Sequence, residues 1–238
     1  MIQVAGVTKR MGNTVAVNDV SFEALDGTIN GLVGANGAGK TTTLRLIAGV
    51  LRPDAGAIRV GGIDPNVDTA TARRLMGALL DHTGLYGRLT ARETLLYFGR
   101  LRCLRHAELH ARVSDVIETF GIAPIADRRT GGFSHGESLK VALGCALLHK
   151  PSHLLLDEPT NGLDPRSTKD LRTILKTLSS AGVCIIFSSH VLSEVEALCD
   201  RIVVLANGAV VTRGTVADVC STSGAEALEP AFLKLTGR

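Results

Sequence analysis

The order of patterns along the chain predicts an α/β fold, with a mostly parallel sheet, an N-terminal antiparallel β subdomain and an inserted helical subdomain. Residues 2–33 alternate between apolar and polar side chains, with turn signals at Gly12-Asn13 and Asp26-Gly27. From about residue 84 to residue 150, apolar residues recur at helical spacing instead. After residue 151 apolar strands alternate with helices, and we expect a single domain over residues 1–238.

The composition allows a full core and excludes several classes of protein. Apolar residues make up 45% of the 238 residues, and 26 Lys and Arg face 23 Asp and Glu. A net charge of +3 is too balanced to indicate nucleic-acid binding, and 3% aromatic residues without Trp offer no stacking surface for single-stranded bases. No segment approaches the roughly 20 apolar residues of a membrane helix, so we expect a cytoplasmic chain without a nucleic-acid partner.

The cysteines are odd in number and widely spread, and no pair has the spacing of metal ligands. Most of them lie in apolar surroundings, so we expect buried thiols and neither disulfides nor a zinc site. The five are Cys103, Cys145, Cys184, Cys199 and Cys220.

The helical insert is predicted to contain three helices. Thr90 and Glu93 form a capping box that opens the first of them. The second is expected over residues 106–120 and the third over residues 134–149. Beyond the insert, strands are expected at residues 153–156, 183–188 and 202–205, helices at 165–180 and 192–199, and a tight hairpin at Asn207-Gly208.

A glycine-rich segment between a strand and a helix is the most informative feature of the chain. Residues 29–33 predict a short buried strand, and residues 41–50 carry apolar side chains at helical spacing. The sequence between them fits the phosphate-binding loop pattern at every fixed position: Gly34-Ala35-Asn36-Gly37-Ala38-Gly39-Lys40-Thr41-Thr42. Glycines allow the backbone to wrap closely around an anion, and the helix start adds the positive end of its dipole.

Three side chains complete this predicted phosphate site. Lys40 supplies an ammonium group for the β- and γ-phosphates of a nucleotide. The Thr41 hydroxyl is placed to ligate Mg²⁺, and Thr42 can bond an α-phosphate oxygen. A chance glycine-rich loop is the alternative, and the agreement of strand, loop, lysine, hydroxyl and helix argues against it.

Polar residues follow two of the predicted strands, where open α/β sheets bind ligands. Asp157 can hold Mg²⁺ directly or through water, while Glu158 points the other way along the pleat and can act as general base on an attacking water. Paired acids are costly to bury without a cation or proton, so a purely structural pair is not expected. After the next strand, His190 could bond the γ-phosphate and orient the water, although alone it would more often begin a helix.

Two turns have both a structural and a functional interpretation. Ser134 and Glu137 make a capping box that needs no ligand, yet the same geometry leaves amides such as that of Gly136 facing an anion. Asp164 can be an N-cap with Pro165 at the first helical position. The residues alone leave both interpretations open.

Taken in order, the phosphate loop, the helical insert, the two capped turns and the polar strand ends resemble the ATP-binding subunit of an ABC transporter over essentially the whole chain. The resemblance implies a P-loop NTPase core that binds ATP with Mg²⁺ and hydrolyses it. The family's motifs fall as follows: Walker A on residues 34–42, Walker B on Asp157 and Glu158, the signature on Ser134 and Gly136, the D-loop on Asp164, and the switch histidine on His190.

The resemblance also implies partners. Two such subunits pack head to tail, so that Ser134 and the Gly136 amide would contact a nucleotide held by the partner's Lys40. ATP closes the pair, hydrolysis reopens it, and a separately encoded integral-membrane permease responds. A homodimer is favoured and a heterodimer stays open, and the expected location is peripheral, on the inner face of the cell membrane.

The chain departs from the family pattern at three positions. Met11 stands where an aromatic residue usually stacks on adenine, with Val17 on the other side of the base, so weaker base selectivity is expected. The usual glutamine of the family appears as Asp81, whose carboxylate can also reach Mg²⁺, with His82 as the alternative register. His135 occupies a signature position where glycine is common, and we expect activity to survive this change.

Residues 85–90 and 228–237 resemble the ATPases of ABC-2 type exporters, which include sodium and drug efflux subunits. Tyr86 and Tyr97 could line a groove that receives a short cytoplasmic helix of the permease, and helix packing by Tyr97 is an equal alternative. A second functional class is a soluble ABC-family ATPase not tied to transport, although no second ATPase domain, coiled coil or basic extension is visible. A scaffold without turnover is a third class, which the predicted base and switch histidine disfavour.

Overall fold

The computed structural model describes residues 1–80 and 84–237, and a three-stranded antiparallel sheet forms one side of it. The strands are β1 (Ile2–Met11), β2 (Thr14–Ala24) and β4 (Ala55–Val60), in the order β2-β1-β4. The prediction of one antiparallel sheet over residues 2–33 was wrong at its end, because residues 29–33 join the other sheet. All five residues of that strand are buried, as in strands that are covered on both faces.

The main sheet has six strands in the order β5-β6-β7-β3-β8-β9. Its members are β3 (Ile29–Val33), β5 (Met76–Leu79), β6 (His153–Asp157), β7 (Cys184–Ser189), β8 (Arg201–Ala206) and β9 (Ala209–Gly214). The first five run parallel, and β9 turns back against β8 through the hairpin at Asn207-Gly208. The prediction of a mostly parallel sheet is therefore confirmed, and the carboxyl ends of β3, β6 and β7 meet at one edge of it.

Helices cover this sheet and build the insert. The covering helices are α1 (Lys40–Ile47), α2 (Thr69–Leu75), α6 (Pro165–Ser180), α7 (Leu192–Leu198), α8 (Val216–Ser223) and α9 (Leu228–Thr236). The insert holds α3 (Ala91–Leu101), α4 (His106–Thr119) and α5 (His135–Leu147), with two short 3₁₀ turns before α5. The predicted insert is thus present, whereas α2, α8 and α9 were not predicted from the sequence.

Two hydrophobic clusters lie on the two faces of the main sheet. One joins the insert to the sheet, since Leu95 of α3 and Leu143 of α5 belong to the same cluster as Leu154 of β6 and Phe187 of β7. The other lies between the opposite face of the sheet and the antiparallel strands, and it includes the buried side of α1. The insert therefore shares its core with the sheet, and the division into a single domain stays a prediction.

The prediction of buried thiols holds for Cys184 and was wrong for Cys103. Cys184 is buried, Cys103 is exposed, and the other three thiols are partly buried. Burial raises the pKa of Cys145, Cys184 and Cys199 to about 12, so these thiols are protonated at neutral pH. Within residues 1–80 and 84–237, no helix is both long and apolar enough to cross a membrane.

Candidate functional site

The phosphate loop is held between two sheets by close backbone contacts. The loop leads from β3 into α1, and Gly39 adopts a left-handed conformation with φ of 100° directly before the helix. A Cβ atom on Gly39 would lie 2.6 Å from the carbonyl oxygen of Ala16 in β2. A Cβ atom on Gly34 would lie 2.6 Å from the carbonyl oxygen of Leu205 in β8. Side chains at either position would displace the backbone, which is why the loop needs glycine there.

Lys40 lies at the centre of this loop. Its side chain is only 5% exposed, and its Nζ donates hydrogen bonds to the carbonyl oxygens of Gly34 at 2.7 Å and Ala35 at 3.3 Å. The same Nζ lies 3.2 Å from Oε1 of Glu158. A buried ammonium group needs such acceptors, and this one is fixed where the loop surrounds an anion.

Asp157 joins three elements at the carboxyl end of β6. Its Oδ2 accepts a hydrogen bond of 2.6 Å from the Thr41 hydroxyl at the start of α1, and its Oδ1 accepts one from the Ser188 hydroxyl at the end of β7. Two of the three residues predicted to bind a metal, Thr41 and Asp157, are therefore adjacent. A hydroxyl and a carboxylate are hard oxygen donors of the kind that Mg²⁺ prefers.

This donor set alone is small for a cation. Among the described residues, no group of three or more His, Cys, Asp and Glu side chains is arranged to hold a metal. Mg²⁺ often binds through one or two protein oxygens together with water and phosphate oxygens, so the set fits that ion when it arrives with a nucleotide. The predicted ligand Asp81 and its alternative His82 lie outside the described residues.

Glu158 enters the site by a route that the sequence interpretation did not foresee. β6 ends at Asp157, and Glu158 lies in the left-handed region with φ of 48°, so the expectation that it continues the pleat was wrong. Its amide donates to both the side-chain and the carbonyl oxygen of Ser188, at 3.0 and 3.2 Å. A non-glycine residue in this conformation costs roughly 1–2 kcal/mol. The turn brings the carboxylate against Lys40.

His190 completes a chain of polar contacts. It follows β7, its side chain is exposed, and its Nδ1 lies 2.6 Å from Oε2 of Glu158. Lys40, Glu158 and His190, the three residues predicted to be catalytic, are therefore linked through the two carboxylate oxygens of Glu158. This arrangement fixes the orientation of the carboxylate, as a general base requires.

A cavity of about 670 Å³ contains these groups, which is within the usual range for small-molecule sites. The residues that line it are Thr14, Val15, Ala16, Asn36, Gly37, Gly39, Lys40, Thr41, Thr42, Glu158, Asn161, His190 and Asn207. The sequence interpretation missed the three residues of β2, Asn161 and Asn207. The sequence marks Asn207 as a hairpin residue and Asn161 as the start of the Asp164 turn, and no motif marks the residues of β2.

The two residues predicted to flank the base are placed differently. Val17 is fully buried in the core beneath the antiparallel sheet, so a ligand cannot contact it and this prediction was wrong. Met11 is 49% exposed and pairs with Thr14 at the end of the β1–β2 hairpin. It is not among the described lining residues of the cavity, and its contact with adenine stays a prediction.

The Ser134 turn has the capping geometry that its sequence predicts. The Ser134 hydroxyl accepts from the amide of Glu137 at 3.2 Å, and the Glu137 carboxylate accepts from the amide of Ser134 at 2.8 Å. Gly136 is buried one residue into α5. Neither Ser134 nor Gly136 is among the described residues that line the cavity, so their contact with a nucleotide stays a prediction.

Asp164 is likewise a complete N-cap. Its Oδ1 accepts from the amides of Arg166 and Ser167, at 2.9 and 3.1 Å, and its Oδ2 accepts from the Ser167 hydroxyl at 2.6 Å. These bonds, first that of the Ser167 hydroxyl, hold the pKa of Asp164 below its ordinary value of 3.8. The structural interpretation of this turn is therefore confirmed, and nucleotide contact by Asp164 stays a prediction.

The sheet order, the phosphate loop and the polar strand ends together define a nucleotide-binding domain of the P-loop ATPase class. A family model described as ABC transporter matches residues 17–161. The chain belongs to this family, and it is an ATP-binding and ATP-hydrolysing subunit.

Relatives cover most of the chain. It is 42% identical to the ABC transporter ATP-binding protein NatA of Bacillus subtilis (strain 168) over 92% of this chain and 89% of NatA. It is 37% identical to the linearmycin resistance ATP-binding protein LnrL of the same organism over 96% of this chain and 73% of LnrL. It is 34% identical to the daunorubicin/doxorubicin resistance ATP-binding protein DrrA of Streptomyces peucetius over 95% of this chain and 69% of DrrA.

Solved structures share the fold. An ATP-binding subunit of an ABC transporter superimposes with a TM-score of 0.91 at 30% identity, covering 99% of both chains. A dimeric ATP-binding cassette in a post-hydrolysis state, bound to ADP and Pi, superimposes with a TM-score of 0.80 at 24% identity over 90% of this chain and 98% of that one. The resemblance inferred from the order of motifs is thus confirmed.

Proposed function

We propose that this chain powers export through a separately encoded membrane permease, as one of two ATPase subunits that close on ATP. The observation that carries the proposal is the chain of contacts from Lys40 through Glu158 to His190, at 3.2 and 2.6 Å, beside the phosphate loop. This constellation suits ATP hydrolysis and not only ATP binding. Two of the relatives carry the names of resistance proteins, which supports export.

Each residue of the constellation has a role in hydrolysis. Lys40 binds the β- and γ-phosphates, and Glu158 accepts the proton of the attacking water. The Nδ1 atom of His190 contacts Glu158 and holds it in place, which leaves Nε2 for the γ-phosphate. Thr41 and Asp157 would hold Mg²⁺, which neutralises charge on the phosphate oxygens.

A second ATPase subunit would complete the site. The Ser134 turn is exposed, and a capped helix start presents free amides to an anion. In the proposed pair, the Ser134 turn and Asp164 of one subunit face the nucleotide that the other subunit binds. We favour two copies of this chain over a pair formed with a relative, because one chain carries both the phosphate loop and the signature turn.

A groove between the insert and the edge strand of the main sheet suits the permease. It has a volume of about 270 Å³, and its lining includes the apolar Leu79 and Leu85 together with the charged Arg102. Tyr86 and Tyr97 are exposed and contact each other edge to face, with their ring centroids 5.6 Å apart. Tyr97 also packs on Phe98, a lining residue of the groove. Helix packing by Tyr97 is therefore compatible with a role in docking. Docking there would hold the chain peripherally on the inner face of the membrane.

The decisive experiment is to purify the tagged chain from detergent-solubilised membranes, to identify the integral-membrane protein that remains attached, and to reconstitute the two in vesicles. We expect ATP hydrolysis and ATP-dependent extrusion of a substrate. Lys40→Ala serves as the control, because the attached subunit should stay bound while ATP binding and transport are lost. A chain that hydrolyses ATP but attaches to no membrane subunit would instead indicate the soluble alternative.

A further inference from the structure

The start of α5 lies directly against the start of α6. Gly136 is buried, and a Cβ atom built on it would lie 2.6 Å from Oγ and 3.2 Å from Cβ of Ser167. Real Cβ atoms do not approach other heavy atoms to 2.6 Å. The backbone of α5 at Gly136 therefore rests on the side chain of Ser167, with no room for anything larger than glycine.

Ser167 is itself fixed by the Asp164 turn. Its hydroxyl donates to Oδ2 of Asp164 at 2.6 Å, and its amide donates to Oδ1 of the same carboxylate at 3.1 Å. A hydroxyl that is held by a charged acceptor forms a short, strong bond and loses its free rotation. Ser167 thus stands between the carboxylate of Asp164 on one side and the backbone of Gly136 on the other.

Neighbouring contacts keep the two helix starts together. One turn further along, Nζ of Lys140 in α5 lies 2.9 Å from Oδ2 of Asp170 in α6. On the other side, a Cβ atom on Gly162 would lie 3.8 Å from the ring of His135, so the loop before Asp164 packs at ordinary van der Waals distance against the first residue of α5. The Ser167 contact lies between these two, and it is the one that leaves no room for a Cβ atom on α5.

We propose that Ser167 is a positioning residue, which holds the Gly136 amide in place for the nucleotide of the second subunit and ties the Ser134 turn to Asp164. This inference rests on the proposed function, in which the Ser134 turn completes the site of a second ATPase subunit. Ser167 contacts no nucleotide itself. It acts through the backbone of Gly136, whose amide position depends on the surface beneath it.

Ser167→Ala therefore separates two properties of the chain. Nucleotide binding by a single subunit depends on the phosphate loop, so the affinity of the monomer for ATP should stay unchanged. ATP-driven dimer association should weaken by about tenfold, the size of effect typical for contacting residues in one network. In the reconstituted complex, turnover at saturating ATP should fall with it.

The test uses Glu158→Gln as the background, because slow hydrolysis lets closed dimers accumulate. Dimer formation is followed by light scattering during an ATP titration, for the background alone and with Ser167→Ala. Thr173→Ala is the matched control, since Thr173 is exposed on the same helix and its hydroxyl donates to the carbonyl oxygen of Lys169 one turn earlier. We expect Thr173→Ala to leave dimer formation at the level of the background.

A double variant distinguishes positioning from a general loss of stability. Gly136→Ala drives a methyl group against Oγ of Ser167 and should abolish closure. Adding Ser167→Ala removes that oxygen and leaves Cβ at 3.2 Å as the nearest atom, so the double variant should regain part of the dimer. If the double variant loses dimer by the sum of the two single effects, the positioning role of Ser167 is contradicted.

The two possible failures are distinguishable. If the Glu158→Gln background binds ATP and never dimerises, the proposed function is wrong and the role of Ser167 falls with it. If the background dimerises and the Ser167→Ala variant does so at the same ATP concentration, only the positioning role is overturned.

Discussion

The phosphate loop and the Ser134 turn are both helix starts suited to an anion, and they are built in opposite ways. The phosphate loop is held from both sides, and its Lys40 is buried, with an ammonium group bonded to two carbonyl oxygens and a carboxylate. The Ser134 turn is exposed at Ser134, and its side chains bond the amides of Ser134 and Glu137. The first is a nearly complete half of a site, and we propose that the second is a surface for another subunit.

The groups that identify a nucleotide site are therefore concentrated in the phosphate loop. At the start of α3, Thr90 and Glu93 form the same capping box as Ser134 and Glu137, with bonds of 2.8 and 3.1 Å. Local geometry does not distinguish a turn that meets a nucleotide from one that only begins a helix. The difference is in what lies next to the turn, and the variants below test it in order of expected effect.

Glu158→Gln should give the largest effect at the loop. The glutamine amide cannot accept the proton of the attacking water, so turnover should fall by roughly two to four orders of magnitude while ATP stays bound. Phosphate release at saturating ATP measures the rate, and a nucleotide titration measures binding. Glu108→Gln is a suitable control, because Glu108 is exposed and pairs with Arg112 within α4. Unchanged hydrolysis would reject Glu158 as the base.

Ser134→Ala and Thr90→Ala form a matched pair for the turn. Each removes one half of a capping box, so each should lower the free energy of unfolding by about 1 kcal/mol. Urea unfolding measures that loss. Only Ser134→Ala should also reduce ATP-driven dimerisation in light scattering. Equal loss of dimer in the two variants would attribute the effect to stability and would contradict a contact between Ser134 and the nucleotide.

Asp164 should give the smallest effect, and one that depends on pH. Its pKa in the folded chain is below the ordinary value of 3.8, chiefly because of the Ser167 hydroxyl, so its charge favours the folded state. That contribution is complete above the unfolded pKa and is lost as pH falls from there through the lowered folded value. The difference in unfolding free energy between wild type and Asp164→Ala should therefore shrink on acidification below 3.8. A constant difference would contradict it.

Long elements with a clear periodicity were predictable from the sequence. The helix expected over residues 165–180 begins and ends there, because Asp164 and Pro165 mark its start and its apolar stripe is regular. Some short helices were not. α2 and α8 have only seven and eight residues, which gives a weak periodic pattern, although α7, also of seven residues, was predicted. The box of Thr215 and Asp218 was a signal for α8 that the sequence interpretation did not use.

Site residues were predictable where a motif fixes the backbone and not where residues had to be counted along a strand. Glu158 was assigned by alternation, but β6 stops one residue earlier. Val17 was predicted to line the side of the base opposite Met11, yet the pairing of β1 with β2 shifts register near Lys9 and Arg10. Irregular pairing of this kind changes which side chains face the core, and no residue type in the sequence announces it.

The phosphate loop also lies where the two sheets meet. Ala16 from the antiparallel sheet and Leu205 from the main sheet abut its glycines, and the amide of Gly208 donates to the carbonyl oxygen of Ala38 at 3.2 Å. Binding of an anion in the loop should therefore also stabilise the strands that contact the loop on its two sides. When nucleotide binds, amide hydrogen exchange should slow well beyond the cavity, in both β2 and β8. The nucleotide would then stabilise the fold as well as serve as the substrate.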